Sequence, residues 1–237
     1  MERDQREMST LTLPGDPPID VTVRRSPRAR RISLRVSGVD GRVSLTLPRG
    51  VSEREGLAFA REKAAWLRGH LDRQPEPARI GIGTVLPVEG RDLRIVPGTG
   101  RRIVVVEDAL HVPGAHDRAA ARVRSWLRTL ARERLAGASD HYAELLGRPH
   151  GGLTLRDTRS RWGSCSSQGR LSFSWRLILA PGDVLDYVAA HEVAHLAEMN
   201  HSRAFWDTVA RLKPGYEAPR RWLRENGAGL HRFRFDG

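Results

Sequence analysis

Hydrophobic and polar residues alternate along three short stretches near the start of the chain, at residues 19–24, 31–36 and 42–47. A period of two indicates β-strands with one buried face. The last two stretches are separated by Gly-Val-Asp-Gly at residues 38–41, which is typical of a hairpin turn. Residues 1–17 show no such period, so we expect a mobile leader ahead of the first strand.

The pattern changes to a helical period over residues 51–73, where apolar residues recur every three or four positions. Ser52 followed by Glu55 is the signature of a capping box at the start of this helix. Further strand-like segments follow, bounded by glycine and proline, at residues 85–88, 93–96 and 102–107. The sequence therefore predicts a mostly antiparallel, β-rich N-terminal portion with one long helix over residues 18–114.

Beyond that point the period is mainly helical, and a long amphipathic helix is predicted over residues 119–146. Short strand patterns then flank a Ser-Ser-Gln-Gly turn at residues 166–169, and the returning strand is expected to run over residues 170–179. The next helix is expected to begin with Asp183 as its N-cap. We expect residues 115–237 to form the catalytic portion of the chain.

That next helix carries His-Glu-Val-Ala-His at residues 191–195, and another histidine follows at position 201. Residues four apart share one face of a helix, so His191 and His195 can bind the same metal ion. Glu192 lies beside the first ligand, where a general base for metal-assisted hydrolysis must be. With His201 as a third ligand, the fourth position is left to water, as in catalytic zinc sites. We predict one zinc ion per chain, although imidazole ligands also suit other transition metals.

The third histidine reaches the metal only if the chain turns after the helix. Asn200 is expected to adopt a left-handed conformation as the helix C-cap, and Ser202 to act as N-cap of a following helix. The next two residues of interest, Phe205 and Trp206, could line a substrate cleft, but aromatic residues at helical spacing are more often part of the core.

Composition indicates a globular protein without a membrane span. Apolar residues make up 39% of the chain and charged residues 29%, and no run of 18 apolar residues occurs. The first residues are charged and lack the apolar stretch of a secretory signal, and Cys165 is the single cysteine. We therefore expect a cytoplasmic protein without disulfides. Cys165 is interpreted as structural, with a role as fourth zinc ligand as the alternative.

The formal net charge of +12 and the pI of about 11.2 favour acidic partners, whether nucleic acid, nucleotide or acidic peptide. All but two of the 40 basic residues are arginine, the exceptions being Lys63 and Lys213. A chain rich in arginine, alanine and glycine is also what a GC-rich genome encodes, so composition alone does not select among these partners.

Several segments together resemble the YgjP-like metallopeptidase family, also called DUF45, which is related to the SprT and WLM zinc proteins. The resemblance rests on RWGSCS at 161–166, LSFSWRLILAP at 171–181, YVAAHEVAH at 187–195, and NHS at 200–202 with the aromatic pair that follows. It extends to the opening strands near residues 23–36. It implies an α+β, zincin-like metallopeptidase fold with an N-terminal antiparallel β-rich portion, one zinc on the three histidines, and Glu192 as catalytic base.

The leading hypothesis is a zinc metallopeptidase that acts on a peptide or protein substrate. Glu192 would take a proton from water at the metal and later pass it to the leaving amine. The strand within residues 170–177 could form the cleft rim and pair with an extended peptide. Tyr187, Tyr216 and Arg159 are candidates for stabilising the oxyanion, and Arg161 joins them as a candidate substrate-binding residue.

Two alternatives stay open. One is hydrolysis of a phosphoanhydride, such as a nucleoside triphosphate, because Arg156, Arg159 and Arg161 cluster in sequence and guanidinium groups bind phosphate well. Such a cluster is also typical of a solvated surface, and no glycine-rich phosphate loop is apparent. The other is a DNA-associated protease, suggested by the basic run at residues 24–31.

Overall fold

The computed structural model describes residues 8–37, 41–72 and 76–235, which fall into two compact units, Met1–Glu76 and Pro77–Gly237. Residues 1–7 of the predicted leader, most of the predicted turn at 38–41 and the end of the first predicted helix lie outside the described residues. The sequence placed a boundary after residue 114, whereas the units divide after Glu76. The reason is that strands from residues 85–113 share one core with the long helix that follows.

The first unit is a four-stranded sheet covered by helices. Its strands, in the spatial order β1-β2-β4-β3, are β1 Met8–Leu13, β2 Ile19–Arg25, β3 Ser33–Val36 and β4 Val43–Leu47. Strands β2 and β4 are parallel, and the other neighbours are antiparallel, including the predicted pair β3 and β4. The prediction of a leader is corrected for residues 8–13, because β1 pairs along its whole length with β2 and buries Leu13.

Two helices follow, α1 Glu53–Glu62 and α2 Ala64–Leu71, in place of the one long helix predicted. The interruption is at Lys63, whose backbone leaves the helical conformation. The capping box is confirmed, since Ser52 Oγ accepts from Glu55 N at 3.2 Å and the Glu55 carboxylate accepts from Ser52 N at 2.8 Å. Helix α1 approaches the sheet closely at Gly56, where an added Cβ would lie 2.7 Å from a methyl carbon of Leu47.

The second unit begins with a short strand and a four-stranded sheet of order β6-β7-β9-β8. The strands are β5 Ala78–Arg79, β6 Val85–Val88, β7 Arg91–Gly98, β8 Val104–Val106 and β9 Ala109–Pro113. Leu86, Ile95 and Leu110 are completely buried and belong to the same core as Leu127 of the long helix α3 Ala119–Leu146.

A three-stranded sheet follows, with the spatial order β10-β12-β11 for β10 Leu153–Arg156, β11 Gly163–Cys165 and β12 Leu171–Ser174. The predicted turn at 166–169 is confirmed, because Ser166 N donates to Arg170 O and β11 pairs antiparallel with β12. The returning strand ends at Ser174 and continues as a short 3₁₀ helix, Trp175–Leu179, instead of extending to 179. Since β12 lies in the centre, the suggestion that it pairs with a peptide is corrected: the outer strand on this side is β11.

Three helices complete the unit, α4 Gly182–Ala194, α5 Arg203–Leu212 and α6 Glu217–Asn226, and a last strand, β13 Phe233–Arg234, pairs with β5. Helix α4 begins at Gly182, one residue before the predicted cap. Asp183 makes no capping hydrogen bond, and its carboxylate instead forms an ion pair with Lys213 Nζ at 2.6 Å. The same ammonium group contacts Asp186 at 2.9 Å, which ties the ends of α4 and α5 together.

The described residues thus form a mixed α+β protein with several small sheets. Across them, no helix is both long enough and apolar enough to cross a membrane.

Candidate metal centre

The last turn of α4 presents the first two candidate ligands. His191 lies within the helix and His195 is its C-cap. The backbone then tightens, with Leu196 N donating to Val193 O at 2.9 Å. The Nδ1 atom of His195 lies 2.9 Å from the carbonyl oxygen of Glu198. A backbone carbonyl on one ring nitrogen fixes the tautomer and leaves the other nitrogen, Nε2, to bind a metal.

The turn after α4 returns the third histidine to the same place. Ser202 caps α5 as predicted, since its Oγ accepts from Phe205 N at 3.3 Å. Asn200 does not adopt the left-handed conformation that was predicted, because among described non-glycine residues only Glu89 and Glu107 have positive φ. Its side-chain oxygen instead accepts from Ser202 N at 3.1 Å and holds the turn.

The three imidazoles have the spacing of a metal site. One ligand atom from each of His191, His195 and His201 lies within 4.8 Å of the others. The Nε2 atoms of His191 and His201 are 3.1 Å apart, close to the separation of about 3.3 Å that two nitrogens take on a tetrahedral ion with bonds of about 2.0–2.1 Å. Nδ1 of His191 is buried and has no hydrogen-bond partner among the residues described. An ion between the two Nε2 atoms would satisfy nitrogens that otherwise face one another, so the donor set fits a metal ion such as zinc.

Burial favours the neutral forms of His191 and His195, as metal ligands must be. The pKa of His191 is lowered to about 3, mainly by burial and also by the neighbouring His195 and His201. Phe205 contributes to this burial: it is completely buried, and its ring stacks on His195 with centroids 4.5 Å apart. The burial of Phe205 therefore agrees with the predicted core position. Its ring packs against the candidate ligands.

Glu192 faces the strand β11 at very short range. A Cβ added at Gly163 would lie 2.4 Å from Glu192 Oε1 and 2.6 Å from its Cγ. Only glycine therefore lets the strand pass this carboxylate without displacing it. Burial raises the pKa of Glu192 to about 8, and the positive charge of Arg161 opposes this effect. A carboxyl group with a raised pKa can exchange protons near neutral pH.

A cavity of about 250 Å³ connects these groups. The three histidines, Glu192, Arg161 and Cys165 are among the residues that line it. Cys165 is half-buried, and burial and the charge of Glu192 raise the pKa of its thiol. Within the described chain the candidate ligand cluster consists of the three histidines without Cys165, so the alternative of a fourth, cysteine ligand gains no support.

The other predicted substrate-binding residues lie elsewhere. Arg159 is not among the residues lining the cavity, and it lies close enough to His231 to affect its pKa. Tyr187 is buried with its ring 5.9 Å from that of His191, and Tyr216 stacks on Tyr187 at 6.3 Å. Tyr187 therefore packs against a candidate ligand and Tyr216 packs against Tyr187, and neither is among the residues that line the cavity, whereas Arg161 is.

The sequence did not predict the contacts that hold residues 157–162, the segment that leads into β11. Arg176 is buried and binds Asp157 through two nitrogens, at 2.7 and 3.2 Å, and it donates to the carbonyl of Phe233 at 3.0 Å. On the same side His231 packs on Trp162, with ring centroids 5.0 Å apart. The sequence signal for these contacts was Arg176, which lies within a run of apolar residues and would need a partner if buried there.

Comparison with known proteins gives a family and one structural likeness. The model of the family described as YgjP-like, metallopeptidase domain, matches residues 30–226. Among solved structures, the chain is similar to the crystal structure of the metallopeptidase zymogen of Pyrococcus abyssi abylysin, at 20% identity and a TM-score of 0.35. That likeness covers 38% of this chain and 93% of the other. No curated protein matches the chain.

Proposed function

Because the chain belongs to the YgjP-like metallopeptidase domain family, we propose that it is a zinc-dependent peptidase with a zincin-like catalytic unit. The observation that carries this proposal is the group of three imidazoles within 4.8 Å, with the Glu192 carboxylate beside them in one cavity. His191, His195 and His201 would hold the ion. Bound zinc would supply a Lewis acid that makes water more acidic and polarises a carbonyl group.

Glu192 is the residue that handles protons in this proposal. As a carboxylate it accepts a proton from the attacking water, and as a carboxylic acid it donates that proton to the nitrogen of the leaving amine. Its raised pKa, at about 8 without metal, supports both roles. Gly163 keeps the strand from displacing the carboxylate, and Arg161 lies in the same cavity, where its guanidinium can donate hydrogen bonds to a substrate carbonyl.

The outer edge of β11 supports a peptide as substrate. Residues 162, 164 and 166 are opposite residues 174, 172 and 170 of the neighbouring strand, and Ser174 N donates to Trp162 O as Ser166 N donates to Arg170 O in this series. Bonded pairs alternate along an antiparallel ladder, so the amides and carbonyls of Gly163 and Cys165 point to the outer edge. An extended peptide can pair there and lie along the metal cavity.

The test is cleavage of a diverse peptide library by zinc-loaded protein, read by mass spectrometry. The variant Glu192→Gln should keep one zinc per chain and lose activity by about 10³-fold, since general acid–base catalysis contributes about 10²–10⁴-fold. The matched control is Glu225→Gln, an exposed glutamate of α6, which should change nothing. Full activity in zinc-loaded Glu192→Gln would contradict the mechanism. A wild type that holds one zinc and cleaves no peptide would contradict the peptidase itself.

A further inference from the structure

The sheet β10-β12-β11 carries a row of hydroxyl groups on its outer face. Thr154, Ser172 and Ser164 are register partners across the three strands. Side chains of neighbouring residues point to opposite faces of a sheet, so these three share one face. The next register row, Leu153, Leu171 and Cys165, takes the opposite face, where Leu171 is buried in the core. The outer face is therefore polar by construction.

Three arginines surround this row and form a groove of about 650 Å³ with it. Arg156 ends β10, Arg161 lies two residues before β11, and Arg170 directly precedes β12. All three are exposed, and none forms an ion pair with a carboxylate of the described residues. The described residues that line the groove include no aspartate or glutamate. The groove thus offers positive charge and hydroxyl donors, and no carboxylate is among the described residues that line it.

This arginine groove borders the metal cavity. The two share Arg161, Gly163, Ser164 and Cys165, which are the strand β11 and the residue that leads toward it. A peptide paired with the outer edge of β11 would continue the pleat of the sheet, so every second side chain would point to the face that carries the arginines. The groove is therefore placed to bind every second substrate side chain near the bond to be cleaved.

We propose that the arginine groove selects substrate peptides with aspartate or glutamate at alternate positions beside the scissile bond. The proposal rests on the proposed peptidase function and adds its substrate class. Guanidinium groups bind carboxylates bidentately, and the hydroxyl row supplies further donors. A lysine or arginine side chain in the same place would meet three like charges. The net charge of +12 adds a general attraction for acidic peptides.

The experiment compares two peptides that share one cleavable sequence and differ only in glutamate or glutamine at alternate positions beside the bond, which point to the arginine face. The zinc-loaded wild type should cleave the glutamate peptide with a kcat/KM about tenfold higher, as expected of a charge-assisted contact. The double variant Arg156→Gln, Arg170→Gln should lose this preference, so that its kcat/KM values on the two peptides become equal. Arg161 is left intact because its charge also acts on Glu192. Arg128→Gln, an exposed arginine of α3, is the matched control and should keep the preference.

Binding provides a readout that does not depend on turnover. Zinc-loaded Glu192→Gln should bind a fluorescent glutamate peptide about tenfold more tightly than its glutamine counterpart, and the two groove substitutions should abolish the difference. Equal cleavage and binding of the two peptides would overturn the groove proposal while leaving the peptidase intact. No cleavage of any peptide would instead overturn the proposed function. Both proposals fail if a nucleoside triphosphate displaces the labelled peptide, the two peptides bind equally and no peptide is cleaved.

Discussion

Each unit contains one glycine that allows a helix and a strand to approach very closely, and the two contacts differ in what the glycine faces. Gly56 on α1 faces methyl groups of Leu45 and Leu47, at 2.9 and 2.7 Å from a Cβ placed there. Gly163 on β11 faces the carboxyl group of Glu192, at 2.4 Å. The geometry is similar, but the first contact involves only packing, whereas the second positions the group that we propose as the general base. A methyl group added at each glycine therefore separates stability from function.

The largest effect is expected from Gly163→Ala. The added methyl group has to displace the Glu192 side chain, and a misplacement of about 1 Å costs about 10²-fold in rate. We expect kcat/KM on a cleaved peptide to fall by at least about 10²-fold. The atoms nearest the new methyl group all belong to Glu192, so zinc content by elemental analysis should remain one per chain. A variant with activity within twofold of the wild type would show that Glu192 tolerates displacement.

His231, which packs on Trp162 just before β11, should make the stability of the protein depend on pH. Burial, followed by the charge of Arg176, lowers the pKa of His231 to about 4 from its ordinary 6.5. The unfolded chain therefore binds this proton first as the pH falls, and stability that is complete above pH 6.5 is lost toward pH 4, by about 3 kcal/mol. His231→Phe keeps a ring against Trp162 but does not titrate.

The measurement is the free energy of unfolding of wild type and His231→Phe at several pH values. The advantage of the wild type over the variant should be constant from pH 7 to 9 and shrink by about 3 kcal/mol at pH 4. Two parallel curves across the whole range would show that His231 titrates normally in the folded protein.

In the first unit, Gly56→Ala should cost stability and leave catalysis alone. Overpacking costs about 1–3 kcal/mol, and the better helix propensity of alanine offsets about 1 kcal/mol. We expect a net loss of about 1 kcal/mol, measured by hydrogen exchange of the α1 amides, which separates the two units. The value of kcat/KM should not change. A fall in activity comparable to that of Gly163→Ala would remove the distinction between the two contacts.

The smallest effects concern two helix caps. Ser52 caps α1 and Ser202 caps α5, each through its hydroxyl, so alanine at either should cost about 1 kcal/mol. Only Ser202 follows a candidate ligand, His201. Ser202→Ala should therefore also weaken zinc binding several-fold in a chelator competition, while Ser52→Ala should not. Equal zinc affinities for both variants would show that the turn holds His201 without its cap.

Local patterns predicted the local parts of this structure. The capping box at Ser52, the cap at Ser202 and the turn at 166–169 each depend on residues a few positions apart, and each is confirmed. The metal motif was equally readable, because one helical turn fixes the spacing of His191 and His195.

What the sequence did not reveal depends on contacts between distant segments. Strand β1 was missed although Leu11 and Leu13 alternate with Thr10 and Thr12, because so short a pattern does not reveal that the segment pairs with β2. The closeness of Gly163 to Glu192 spans 29 positions along the chain, and nothing local marks that glycine as different from others. Arg159 and Arg161 are equivalent by spacing, yet only Arg161 lines the cavity. Such differences depend on which distant segments come into contact in the fold. The periodicity of a sequence does not specify those contacts.

The pairing of β5 with β13 gives the second unit a particular connectivity. Residues 78–79 and 233–234 are register partners on parallel strands about 4.8 Å apart, so the start of β5 and the end of β13 lie within a few residues' length of each other. A short peptide joining these ends would close the backbone into a ring, and the ring could be reopened at an exposed loop such as the one at Gly100, far in sequence from every ligand. The order of segments along the gene is thus separable from the arrangement of the candidate site, and a circular permutant of residues 77–235 should assemble the same group of three histidines and Glu192.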